Sequence, residues 1–108
     1  MDHTSEQLQV VNKMTEVLAA TTLKPYQTLI MATANTATDS YTITLPPVAQ
    51  CAGRVFSIYA TIANSKTITI AHHGDSANWS NVALTVTADR LVVYSDGYGW
   101  ITLVDVST

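Results

Sequence analysis

Charge is what this sequence has least of. Asp, Glu, Lys and Arg make up 12% of its 108 residues, about half the quarter usual in soluble domains. The five basic side chains, Lys13, Lys24, Arg54, Lys66 and Arg90, are scattered, and the net charge is −3. Phosphate-binding surfaces need clustered Lys and Arg, so nucleic acid is not an expected partner. Cysteine is nearly absent as well: Cys51 stands alone, which excludes an internal disulfide and fits folding in a reducing cytoplasm. The four glycines include no G-x-G-x-x-G spacing and none precedes Lys-Ser/Thr, so no phosphate loop is expected. No apolar run approaches the roughly 18 residues of a membrane span. The opening MDHTSEQLQ is polar and acidic, so neither a signal peptide nor a membrane partner is expected.

Catalytic patterns are missing too. His72, His73 and Asp75 form the one cluster with metal or acid–base character, but adjacent histidines in a strand point to opposite faces and cannot share a tetrahedral ion. No serine lies in a G-x-S-x-G elbow, and Cys51 sits among small residues with no basic neighbour of the kind that activates a thiol. Asp75, Asp89 and Asp96 fall in loops, where two carboxylates can in principle be assembled for glycoside hydrolysis, although loop aspartates are usually turn formers. The expectation is a protein without enzymatic activity, cofactor or metal.

What the chain does have is apolar and β-branched residues, in two patterns. Thr4-Ser5-Glu6-Gln7 matches a capping box. Leu8, Val11, Met14, Val17 and Leu18 follow at helical spacing, with Asn12, Lys13 and Glu16 opposite. Pro25 would end such a helix. Residues 1–25 are therefore expected to be an N-terminal helix or arm, its stripe packing either on the same chain or on a partner, and residues 26–108 a β-domain. Within the latter, alternating runs predict strands at 26–32, 41–46, 54–62, 66–71, 82–87, 91–95 and 100–106. Phe56, Ile58, Ala60 and Ile62 fall on one face of the third run, and Val55, Ser57, Tyr59 and Thr61 on the other. Pro46-Pro47 ends the second run. Asn64-Ser65 predicts a turn that makes a hairpin of 54–62 with 66–71, and Asp96-Gly97 predicts another between the last two runs. The expected fold class is mainly β, a small antiparallel sandwich or barrel-like domain preceded by one α-helix.

Trp79, Tyr98 and Trp100 lie in or beside loops, where aromatics stack on sugars or anchor interfaces. Trp79 and Tyr98 are the recognition candidates, the alternative being that Trp79 folds under its loop as a hydrophobic plug; Trp100 is the one expected to join the core. A Thr- and Val-rich sheet with so little charge suits packing against copies of itself.

Three phrases, DSYTITLPPVAQ at 39–50, AGRVFSI at 52–58 and YSDGYGW at 94–100, together with Trp79, resemble β-domains of tailed-phage virion proteins. Those include capsid decoration or cement proteins and the domains of head and tail fibres. The resemblance covers about residues 39 to 103 and carries no catalytic signature. It implies a non-enzymatic structural protein on the virion surface, made in the host cytoplasm, commonly trimeric, and partnered by the major capsid protein or another virion protein. The shortness of the chain favours decoration or cement. The alternative it leaves open is a glycan- or receptor-binding module of a fibre or baseplate.

Overall fold

The computed structural model of the chain describes residues 14–35, 39–63 and 65–108. Nine strands appear among them: β1 (Thr15–Val17), β2 (Thr21–Thr22), β3 (Leu29–Ala34), β4 (Tyr41–Thr44), β5 (Val55–Ile62), β6 (Ile68–Ala71), β7 (Val82–Leu84), β8 (Arg90–Ser95) and β9 (Trp100–Val106), with a 3-10 helix at Val48–Cys51. They build a five-stranded sheet in the order β1-β3-β5-β8-β9 and a four-stranded sheet in the order β2-β4-β6-β7. From β1 to β6 the chain alternates between the sheets, so each pair of strands is one coil of a two-sheet winding. Neighbours within a sheet are parallel through these coils. Parallel neighbours need a crossover, and here a strand of the facing sheet supplies it. β7, β8 and β9 then close the winding with antiparallel pairings.

The core lies between the sheets and follows from the period-2 alternation of the strands. Ile30, Ile58 and Leu91 stand side by side across β3, β5 and β8, with Phe56 beside Val93. From the other sheet Ile68 pairs with Leu84, and Ile43 with Ile70. All of these are buried. Phe56 meets Trp100 edge to face at 5.4 Å between ring centroids. Each fully buried side chain of this size contributes about 1.5–3 kcal/mol of transfer free energy.

The expected N-terminal α-helix is not present among the described residues. Residues 14–23, the second half of the proposed stripe, carry β1 and β2 instead; Leu8 and Val11, with the capping box, lie outside the described residues. Thr15, Val17, Thr21 and Thr22 are β-branched and stiff in a helix. As strands they extend the β3 and β4 ladders and bring Val17 and Leu23 into the core. Met14 and Leu18 are exposed.

Antiparallel pairing is the second correction, because both sheets are mixed. The expected hairpin of 54–62 with 66–71 does not form: β5 and β6 belong to opposite sheets, although the turn exists at Ser65 (φ 59°), closed by the Lys66 amide donating to the Ala63 carbonyl. The strands on either side of Pro46-Pro47, β4 and β5, and those on either side of Ala88-Asp89, β7 and β8, likewise lie in different sheets. The Asp96-Gly97 hairpin is present, with Ser95 opposite Trp100. Gly97 takes φ +94°, a conformation that suits glycine, and the Asp96 carboxylate accepts from the Tyr98 and Gly99 amides at 2.8 Å.

Candidate functional site: the outward face of the five-stranded sheet

The two sheets present different outer faces. On the four-stranded sheet the outward row is Thr42, Thr69 and Ala83, small and mostly polar. On the five-stranded sheet it is larger and mostly apolar, apart from a Thr33–Thr61 pair at one end. One row runs across all five strands as Glu16, Met31, Tyr59, Arg90 and Val106. The next holds Leu29, Ser57, Val92 and Val104, and a third Val55, Tyr94 and Ile101. Leu29 and Val55 are exposed at 45% and 48%. Tyr59, Ile101, Val104 and Val106 are exposed as well, which leaves most of this face apolar and in water. Glu16 and Arg90 are the charged side chains in these rows. The edge of the face is irregular: a bulge between Val92 and Val93 takes Leu103 out of the β8–β9 register and leaves it exposed.

The polar groups with chemical character are occupied in holding the fold. Asp75 accepts the Val48 amide at 2.8 Å. Asp89, buried to 1% exposure, accepts the Thr85, Val86 and Thr108 amides and the Thr108 hydroxyl. Burial pushes its carboxyl pKa up, but the donors of Thr108, Thr85 and Val86 outweigh that and hold it below the ordinary carboxylate value. In Asp96 the amides of Tyr98 and Gly99 lower the carboxyl in the same direction. Cys51 is buried, and desolvation raises its thiol above the ordinary value, assisted by Asp75 and opposed by Arg54. His72 accepts the Gly74 amide on Nδ1 and sets its ring against Trp79. Among the described residues no group of three or more His, Cys, Asp and Glu is placed to hold a metal ion.

The two aromatic candidates separate. Trp79 is buried, its Nε1 donating to the Thr102 hydroxyl at 2.9 Å. Tyr98 stands 89% exposed at the hairpin tip, beside a cleft of about 280 Å³ that Ser76, Asn78, Asp96 and Trp100 help to line. Of the proposed stripe, Val17 is in the core while Met14 and Leu18 are exposed on either side of β1. The five-stranded face itself was readable in part, since the alternation of residues 54–62 puts Val55 and Tyr59 opposite the core.

These features define a mainly β protein of two mixed sheets with one apolar outer face. No protein-family model, no curated protein and no solved structure matches the chain.

Proposed function

We propose that this chain is a non-enzymatic structural protein of a phage virion, a capsid decoration or cement protein that works as a homo-oligomer on the shell. One observation carries the reading: a sheet face of Leu, Val, Ile, Met and Tyr side chains is left in water on an isolated chain, a cost that burial between subunits or on a partner relieves. The loop carboxylates support it, because Asp75, Asp89 and Asp96 are engaged by backbone amides. The resemblance to tailed-phage β-domains supplies the virion setting, and its phrases fall on β4, β5 and the β8–β9 hairpin. Its partner on the particle would be the major capsid protein or another virion protein. Co-sedimentation with purified phage shells tests this: saturable binding without added sugar is expected, and no binding to any shell offered would overturn the decoration role.

A second reading, a glycan- or receptor-binding module, is favoured by the exposed Tyr98 over the cleft with Asn78 and Asp96. Aromatic faces beside carboxylate and amide groups suit sugar rings. Binding of the isolated chain to surface glycans, lost in Tyr98→Ala, would select this reading over the first.

A further inference from the structure

We infer that the cleft beside Tyr98 is a subsite for one sugar residue carrying a free amino group, with the Asp96 carboxylate on the ammonium and the Tyr98 ring against the sugar. The inference rests on the glycan-binding reading above and names the class of sugar that the cleft selects.

The first ground is a carboxylate oxygen held in place and left open. Asp96 Oδ1 accepts the Tyr98 and Gly99 amides, both at 2.8 Å, so the hairpin fixes this side chain before any ligand arrives. Oδ2 accepts from no other residue among those described. A group already ordered loses little freedom on binding.

Charge is the second ground. Among the described residues Asp96 is the one charged residue that lines the cleft, and no Lys, Arg or His lines it. The whole chain carries −3. An acidic sugar meets repulsion that nothing offsets, a neutral sugar finds ordinary hydrogen bonds, and an amino sugar gains a charge-assisted one.

The floor supplies the third ground. Ser76 and Trp100, 4% and 5% exposed, both line the cleft. Ser76 Oγ accepts the Trp100 amide at 2.9 Å, and its hydroxyl proton goes to no described residue. Trp100 Nε1 is the one buried side-chain nitrogen or oxygen among the described residues that has no hydrogen-bond partner, a condition native structures rarely leave unexplained. The floor therefore has donors to spare, while Asp96 Oδ2 and the Asn78 amide oxygen on the walls accept. A sugar brings oxygens for the first and an amine for the second. A lysine side chain brings only its ammonium and leaves the floor unmet. Tyr98 adds an exposed ring to stack on, and about 280 Å³ is room for one sugar ring.

Proton–nitrogen correlation NMR of the purified full chain tests this in mildly acidic buffer, where amine and carboxylate are both charged. The titrants are the methyl glycosides of glucosamine and galactosamine, of the parent glucose and galactose, and of the corresponding uronic acids. The two tryptophans give separate indole signals. Trp100 should shift, while Trp79, whose Nε1 is already bonded to Thr102, should barely move. A hexosamine should bind about threefold or more tightly than its neutral parent, and the uronic acids should cause no shift. Acetylating the amine should reduce binding to the neutral level. Asp96→Asn keeps an acceptor for the hairpin amides but removes the charge, so it should abolish the preference for the amine and retain binding of the neutral sugar. The acetylated ligand makes the same comparison without altering the protein.

Equal binding of amino and neutral sugars, or a preference that survives Asp96→Asn, would overturn the inference and leave the glycan reading standing. No shift with any of the sugars would remove both. Should n-butylamine saturate the Trp100 shift as tightly as the hexosamine does, the ammonium alone is recognised, and the sugar gives way to a lysine side chain of a partner protein.

Discussion

Asp89→Ala strikes at the point where the winding is closed. The carboxylate takes the Thr85 amide at 2.9 Å, the Val86 amide at 3.2 Å, the Thr108 amide at 3.0 Å and the Thr108 hydroxyl at 2.9 Å. It thereby ties the crossover between β7 and β8 to the last residue after β9. Hydrogen bonds to a charged group contribute about 1.5–3 kcal/mol each, but they are not additive. Thr85, Val86 and Thr108 keep access to water, which replaces part of the loss. A total of about 3–4 kcal/mol follows, equivalent to roughly 15 °C in Tm for a domain of this size. Asp89→Asn retains one acceptor oxygen without its charge and should cost about 1–2 kcal/mol. The pH dependence has a definite sign. Because the folded carboxyl titrates below its ordinary value, its stabilisation is complete above the unfolded value of about 3.9 and is lost as pH falls through the lower folded value. The gap between wild type and Asp89→Ala should therefore narrow in acid. Urea unfolding at pH 7 and at pH 3 measures both effects. A loss below 1 kcal/mol at pH 7, or a gap that widens in acid, would refute the reasoning.

Other perturbations have equally direct outcomes. Thr102→Val removes the acceptor of Trp79 Nε1 and should cost about 1–2 kcal/mol by thermal melting, with a change in tryptophan emission. Gly97→Ala forces a side chain into φ +94° with its Cβ 3.4 Å from that of Ala52, and should lower stability by about 1–2 kcal/mol. Chelators should leave Tm unchanged, and a fall restored by zinc or calcium would reveal ligands shared between chains. A chain beginning near Tyr26 loses β1, β2 and the buried Val17 and Leu23, so reduced Tm and aggregation through the bared edges of β3 and β4 are expected. A truncated chain as stable as the full one would show that the first coil adds nothing.

The strand faces were readable from sequence because period-2 alternation is a local property. Phe56, Ile58 and Ala60 of β5, and Ile68 and Ile70 of β6, are buried as the alternation predicts. Partner strands were not readable. A short polar connection such as Ala63 to Thr67 serves a hairpin or a step to a facing sheet equally well, since both leave alternation intact. Parallel pairing of β3 with β5 joins residues far apart in sequence and has no local signature. Residues 14–23 misled for a different reason: Met14, Val17 and Leu18 fit a helical stripe, while Thr15, Thr21 and Thr22 carry the opposing β preference, and edge positions on β3 and β4 decide between them. Asp89 read as a turn former, which it is; its burial depends on Thr108, contributed from the far end of the sheet. The outer face shared this limit, because Leu29, Tyr59, Val92 and Val104 become one surface only once four strands are in register.

Hydroxyl-radical footprinting of the purified full chain tests the central claim most directly, that the outward face of the five-stranded sheet is covered in the working protein. Tyr26 and Tyr98, exposed at 71% and 89% and outside the strands, serve as internal references. The account predicts that Tyr59, Leu29 and Val104 react far more slowly than their 37%, 45% and 40% exposure in the single chain implies, and that Val104→Asp restores their reactivity. Oxidation of Tyr59 and Leu29 at the rates set by those exposures, at micromolar chain concentration, would contradict it.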